Sequence, residues 1–235
     1  MTSYPVKVIE NKKFGANTIV LTTSKPAGYR FLAGQFAQLI LPQIKTNDPL
    51  NNWRWFSFAS APSEDNLIFC ARTGFSEFKN IFENLKPGDV IEVGEALGRF
   101  VLPVDNKNSL VFLAGGVGIA PVRSLIIENF NSKRKNLITI FYSNRKIDDA
   151  IFFDELKKIS PENIKIILTI TGEQKVDSHL SGRINRLMIK KNVDNLNASL
   201  YYVVGSPEFC QTLVSQLQAL DIDQKQIILE KFTGL

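Results

Sequence analysis

Short apolar runs, each set off by turn residues, fill the first hundred positions. Residues 17–23 (NTIVLTT) are β-branched, residues 35–41 form an apolar run bounded by Gly34 and Pro42, and residues 54–60, 66–72 and 89–93 follow. The turn signals between them are Lys25-Pro26-Ala27-Gly28, Asn47-Asp48-Pro49, Ala61-Pro62-Ser63 and Lys86-Pro87-Gly88-Asp89. Strand-length runs separated by such turns predict closely spaced antiparallel strands, and so a barrel. One segment interrupts them. Phe78, Ile81, Phe82 and Leu85 recur at i, i+3, i+4 and i+7, the apolar face of a helix, with Ser76 placed to cap its start.

After Pro103 the rhythm changes. Residues 110–114 read as a buried strand, and Ile119, Val122, Ile126 and Phe130 as a helical stripe. A strand at 137–142, a helix at 148–159, strands at 164–171 and 201–204, a helix marked by Phe209, Leu213, Leu217 and Leu220, and a last strand at 226–230 complete the pattern. Alternating strand and helix predicts a parallel sheet covered on both faces. The polar stretch 104–108 (VDNKN) separates two domains, 1–103 and 109–235.

Composition narrows the chemistry. A chain of 235 residues, 44% hydrophobic, is long enough to bury a core without a disulfide or metal staple. Its two cysteines, Cys70 and Cys210, form no CxxC pair, which argues against a zinc ribbon or finger, a four-cysteine cluster and a disulfide framework. A reducing compartment suits such usage. With the single histidine His179 and no GxSxG, neither a His-rich metal site nor a Ser-His-Asp triad is expected. The net charge of +5 is spread over short groups such as Lys12-Lys13, Lys133-Arg134-Lys135 and Lys190-Lys191. These fall short of a nucleic-acid patch, although they can steer an acidic partner from a distance. No stretch approaches the roughly 18 apolar residues of a membrane span. The N-terminal MTSYPVKVIENKK lacks the apolar segment of a signal peptide, so a cytoplasmic protein is expected.

Four constellations carry candidate chemistry. Leu113-Ala114-Gly115-Gly116-Val117-Gly118-Ile119-Ala120-Pro121 lies between a predicted strand and a predicted helix. Glycines there let backbone approach a phosphate at a helix N-terminus, and Pro121 fits the first turn. The third glycine of GxGxxG is missing, so three readings stay open: a dinucleotide loop, an adenosyl site of the methyltransferase kind, and a purely structural turn. In Arg54-Trp55-Phe56-Ser57-Phe58, alternation puts Arg54, Phe56 and Phe58 on one face. A guanidinium beside aromatic planes suits a ligand with a phosphate and a flat ring; an aromatic core strand with a surface arginine would read the same. Ala71-Arg72-Thr73-Gly74-Phe75-Ser76 opens the helix of the first half and offers a second anion site, or ordinary capping. Finally, Glu230 and Phe232 close the chain after its last strand, as candidate site groups or as a packed strand with a solvated carboxylate.

In this order and spacing, the four pieces resemble the ferredoxin–NADP reductase superfamily over nearly the whole chain. Its flavin motif R-x-[YF]-[ST] is met by Arg54, Phe56 and Ser57, and its second by Gly74-Phe75-Ser76 with Phe78 and Lys79 continuing. The barrel-closing motif is seen from Gly88-Asp89 to Gly98 and Phe100, and G-G-x-G-x-x-P from Gly115 to Pro121. Tyr142-Ser143-Asn144-Arg145, Ser181-Gly182-Arg183-Ile184, Tyr202-Val203-Val204-Gly205-Ser206-Pro207 and the E-x-F-x-G ending are similar to a bacterial single-chain subgroup without an iron–sulfur domain. Phe56 replaces the commoner tyrosine, Val204 stands where plant-type members have a cysteine, and Leu235 replaces a final aromatic residue.

The resemblance implies an antiparallel Greek-key β-barrel for flavin, followed by a Rossmann-like sheet for NAD(P). It implies an FAD-dependent oxidoreductase that takes a hydride from NADPH or NADH and passes electrons to a redox partner protein or small acceptor. A non-catalytic electron-transfer subunit of a larger complex is the alternative. Arg54, Ser76 and the backbone and side chains of Ala71, Arg72, Thr73, Gly74 and Phe75 would hold FAD, with Phe56 and Phe58 on the aromatic side and Ser57 near flavin N5. Gly115, Gly116, Gly118 and Pro121 would take the nicotinamide nucleotide's pyrophosphate, with Gly205, Ser206 and Pro207 near its ring. Ser143, Asn144 and Arg145 would lie at the adenosine ribose, where Arg145 could take a 2′-phosphate. Phe232 could cover the flavin, and Glu230 could relay a proton.

Overall fold

Why the first half closes on itself follows from which residues alternate. The computed structural model describes residues 2–44, 52–74, 76–104, 108–133, 136–159, 162–172 and 180–233. The strands β1 (Ser3–Phe14), β2 (Thr18–Ser24), β3 (Phe36–Ile40), β4 (Trp53–Ser57), β5 (Asn66–Arg72) and β6 (Val90–Gly94) form one sheet in the order β4-β3-β6-β1-β2-β5, every pair antiparallel. A bridge from Phe58 to Phe69 brings the two edges together as a barrel. Its interior holds Val6, Val8, Leu21, Leu39, Phe58, Phe69, Ile91 and Val93. The helix α1 (Glu77–Asn84) is capped by Ser76, which accepts from the Lys79 amide at 3.3 Å, and it sends Phe78 and Phe82 into the same core.

The second half contains β7 (Ser109–Gly115), α2 (Ile119–Asn131), β8 (Ile138–Asn144), α3 (Phe153–Ile159), β9 (Ile164–Ile170), β10 (Leu180–Ser181), α4 (Arg186–Asn192), β11 (Ser199–Gly205), α5 (Pro207–Gln218) and β12 (Ile227–Lys231). Its strands pair in parallel in the order β10-β9-β8-β7-β11-β12. The winding reverses between β7 and β11, the place where such sheets bind ligands at their carboxyl ends. Val111, Leu113, Phe141, Tyr201 and Val203 form a core with Ile189 of α4 and Cys210, Leu213 and Leu217 of α5. By packing, the molecule divides into Met1–Leu102 with Ala120–Asn131, and Pro103–Ile119 with Ser132–Leu235. Most of α2 thus belongs to the first unit.

Three elements differ from the sequence expectation. The twelve-residue β1 is not foreseen, because only Val6 and Val8 of it are buried and its other positions are polar or partly exposed. The helix expected over 148–159 is two pieces, a 3-10 turn at Ile147–Asp149 and α3. Phe152 lies between them at φ 61, a left-handed conformation that no α-helix continues through. The short β10 and α4 are also unforeseen. The turn residues 47–49, His179 and part of the linker at 105–107 lie outside the described residues.

Candidate functional site

In the first unit, three cations gather at the start of α1. Arg54 points to the same side of β4 as Phe56, and its guanidinium carbon lies 5.2 Å from the centre of the Phe78 ring. It also donates to the Trp53 carbonyl at 2.6 Å. Phe56 stacks on Phe82 and Phe78 at 5.1 and 6.0 Å. Burial holds the Lys79 ammonium below its ordinary pKa, and the positive charges of Arg54 and Arg72 lower it further. Like charges held this close cost free energy that a bound anion would return. Gly74 makes room for Lys79, since a Cβ there would meet the lysine's Cδ at 2.7 Å. Ser76 is exposed at the helix start, where unpaired N–H groups add to the positive field.

Ser57 is buried at the end of β4. Phe58 has no exposed surface; it stacks on Phe31 at 4.2 Å inside the barrel. Ala71 is buried, Arg72 is exposed, and Thr73 and Gly74 are half-buried. Phe75 lies outside the described residues.

In the second unit, the glycine loop leaves β7 as a 3-10 turn, Gly116–Gly118, that runs straight into α2. Gly116 adopts φ 55, and a Cβ on Gly118 would sit 2.7 Å from the Val204 carbonyl oxygen. A Cβ on Gly115 would meet the Phe209 ring at 3.2 Å. The loop therefore needs its glycines for its own packing. Pro121 falls in the first turn of α2. Ser206 caps α5 by accepting from the Phe209 amide at 3.3 Å, with Pro207 in the first turn of that helix.

The chain end is tied to the same place. Val204 pairs with Glu230 and Gly205 with Lys231, and the Phe232 amide donates to the Gly205 carbonyl at 2.9 Å. Phe232 and Glu230 are half-buried. The Cys210 thiol lies within donating reach of the carbonyls of Gly205 and Glu230, and burial pushes its pKa up to about 11, which favours the thiol over the thiolate. The motif residues Gly234 and Leu235 lie outside the described residues.

Along β8, Gly115 pairs with Ser143, and Ser143 with Thr169. Ser143 is half-buried and Arg145 exposed. Asn144 is 3% exposed, yet neither atom of its amide has a hydrogen-bond partner among the described residues, nor does the buried hydroxyl of Thr169. Unpaired polar groups cost about 1–3 kcal/mol each, and they concentrate where a ligand or water completes the set. The structure thus brings Gly115, Gly118, Gly205, Ser206, Glu230 and Phe232 together at the carboxyl edge of β7, β11 and β12. It separately groups Arg54, Phe56, Arg72 and Ser76. Sequence reasoning gave no role to Lys79, although its place three residues after the cap was a usable signal. The buried Thr169 offered none. Among the described residues, no group of His, Cys, Asp and Glu could hold a metal ion, and no helix is long and apolar enough to cross a membrane.

A family model described as an oxidoreductase NAD-binding domain matches residues 112–215. The chain is 26% identical to one of the subunits of the Na(+)-translocating NADH-quinone reductase of Marinomonas sp. (strain MWYL1), over 91% of this chain and 64% of that protein. It is 26% identical to reductase component 2 of terephthalate 1,2-dioxygenase from Comamonas sp, over 89% of this chain and 62% of that one. The chain therefore spans less than two thirds of either relative. Among solved structures, a ferredoxin NADP+ reductase from Neisseria gonorrhoeae with bound FAD and NADP matches with a TM-score of 0.82 and 25% identity, over 97% of this chain and 98% of that one.

Proposed function

We propose, starting from the likeness of this chain to the ferredoxin–NADP reductase superfamily, that it is an FAD-dependent oxidoreductase drawing on NADPH or NADH and serving a separate electron acceptor. The observation that carries this reading is the cluster of Arg54, Arg72 and Lys79 at the capped start of α1. Its charge and donor set fit a pyrophosphate. When bound, FAD would accept a hydride from the nicotinamide nucleotide and release electrons to the acceptor. In chain order the flavin domain would be 1–103 and the nucleotide domain 109–235, with 120–131 of the latter packed within the first unit.

The chain's own residues bind and orient. Arg54, Arg72, Lys79 and Ser76 hold the flavin's pyrophosphate, with the backbone of 71–75 beside them. Phe56 would offer an aromatic face and Ser57 a hydroxyl toward the flavin ring, while Phe58, wholly inside the core, has no surface to offer a cofactor. Gly115, Gly116, Gly118 and the start of α2 at Pro121 receive the nucleotide's pyrophosphate. Gly205, Ser206 and Pro207 border its nicotinamide, and Asn144 and Ser143 face its ribose. Glu230 holds a proton or orients the nicotinamide, and Phe232 excludes water from the rings. Arg145 favours the 2′-phosphate of NADP; Arg145→Ala is expected to raise the KM for NADPH much more than that for NADH, and equal shifts would refute this role. A location in the cytoplasm, with its nicotinamide nucleotides, belongs to the same reading and is consistent with two buried cysteines that form no disulfide.

The acceptor is a redox protein or a small molecule. The match to a component of a larger reductase favours a second reading, in which the chain transfers electrons only inside a complex. One experiment addresses both. The purified chain is expected to be yellow, to bleach on anaerobic titration with NADPH or NADH, and to reduce an artificial dye. A protein that stays colourless with excess FAD refutes the flavin assignment, whereas a bleaching protein inert toward every free acceptor favours the second reading.

A further inference from the structure

Arg123 is the most deeply buried charge described in the molecule, at 4% exposure. It projects from α2 within the first unit and ends in a fork. Its Nη1 donates to Glu64 Oε2 at 2.9 Å and its Nη2 to Glu64 Oε1 at 3.0 Å, while Nη1 also donates to the Ala59 carbonyl at 2.7 Å. The residues around it are equally constrained. The Ser124 hydroxyl donates to the Ser60 carbonyl at 2.7 Å, Asn131 donates to the Ser63 hydroxyl at 2.9 Å, and the Ala61 amide donates to Glu64 Oε2 at 2.6 Å. Lys25 ties the same turn from the other side, donating to the carbonyls of Pro62 and Glu64.

An ion pair with one buried partner and one partly exposed partner is a poor source of stability. Removing two charges from water costs about as much as their attraction returns, and apolar side chains of similar size often do as well. What a bidentate fork supplies instead is geometry, because it is satisfied in one orientation only. The segment it grips, residues 59–64, continues directly from Ser57 and Phe58. The helix it fixes is the uninterrupted continuation of the Gly116–Gly118 turn. Leu125, on the same helix, is fully buried, and a Cβ on Gly34 would come within 3.0 Å of it.

We propose that Arg123 and Glu64 are positioning residues: their fork fixes α2 to the turn that continues β4, and thereby holds Ser57 at the end of that strand. This rests on the oxidoreductase reading for its consequence in catalysis, but not for the latch itself. The pair touches no ligand. It sets where the Ser57 hydroxyl stands, and a misplacement of about 1 Å can cost on the order of a hundredfold in rate.

The test uses the full chain, with Arg123→Met and Glu64→Met combined so that volume is kept and the fork is lost. Hydrogen exchange on the flavin-free protein is expected to quicken at 59–64 and along α2, with the rest of the barrel unaltered. In the flavin-loaded protein, the limiting rate of flavin reduction is expected to fall on the order of tenfold to a hundredfold, while the nucleotide KM stays close to that of the unsubstituted chain. Arg123→Lys, which keeps the charge but not the fork, is expected to fold and to lie between the two, and it carries the test if the double variant does not fold. Unchanged exchange overturns the latch, and a loss expressed in KM alone, or in thermal stability alone, overturns the positioning role. Failure of the unsubstituted chain to take up flavin would instead refute the oxidoreductase reading, and the exchange comparison would still decide the latch.

Discussion

At the start of α1 the first unit assembles Arg54, Arg72 and Lys79 against one another, and the lysine's pKa is depressed by burial and by its two neighbours. At the carboxyl edge of β7 the second unit offers Gly115, Gly116 and Gly118, a loop with no cation of its own. Both are places where a phosphate can sit, but they relate to the fold in opposite ways. The cations repel each other, so the fold holds them at a cost. The glycines serve the fold directly, because the space a Cβ would occupy is filled by the Val204 carbonyl and the Phe209 ring. A glycine-rich turn is therefore weak evidence of a ligand even when it binds one, whereas a cluster of like charges is hard to explain without an anion.

This contrast can be broken most sharply at Gly118. Gly118→Ala places a Cβ 2.7 Å from the Val204 carbonyl oxygen, and overpacking of this kind costs about 1–3 kcal/mol or more. Thermal unfolding without any nucleotide is expected to show the loss. An unaltered melting temperature would mean that the loop yields and that its glycines are kept for a ligand alone. Arg54→Ala should act in the reverse sense. It is expected to weaken FAD binding by about 1.5–3 kcal/mol, the worth of a hydrogen bond to a charged group, with the flavin-free melting temperature moving much less. Flavin fluorescence titration reads this, and unchanged affinity would remove Arg54 from the site.

Toward alkali the two halves behave alike. Burial raises the Cys210 thiol from 9.0 to about 11 and the Tyr201 hydroxyl from 10.0 to about 12. Tyr29, in the barrel, is raised further still, mainly by burial. In each case the folded state holds its proton after the unfolded chain has lost it, so stability is complete below the unfolded value and declines as pH rises toward the folded one. Urea midpoints are expected to fall from about pH 9, with Cys210→Ser flattening the first part of that decline. The smallest effect is expected from Lys79→Met. The flavin-free chain should gain at most about 0.5 kcal/mol, because a partly exposed charge is screened by water, while FAD binding weakens.

Much of this arrangement was legible in the residues. Ser76 before an apolar stripe announced both α1 and its cap, and the alternation after Pro103 announced the parallel sheet. Legibility failed where local pattern and tertiary role part company. β1 reads as polar because most of its side chains face water, yet it joins β2 to β6 in the barrel. Phe152 adopts a left-handed backbone that a β-carbon disfavours, and no sequence period reports that. Phe58 alternates correctly with Arg54 and Phe56, but alternation assigns a face and not a depth, and the ring lies wholly within the core. Arg123 sits in the mainly apolar first half of α2, and its partner is 59 positions away. Only the folded chain can show that these two charges meet.

Asn11 of β1 secures α1 at the end away from the cations. Its amide donates to the carbonyls of Phe82, Glu83 and Leu85, at 3.0, 3.2 and 3.0 Å, and so finishes the helix. β1 in turn is held by β6, which is made only after α1. The helix that carries Lys79 thus takes its C-terminal anchor from a strand that is itself held by a later strand, ending at Gly94. On the proposed reading, grasp of the flavin's pyrophosphate therefore depends on a closed barrel, because the strand that finishes α1 is held only once β6 is in place.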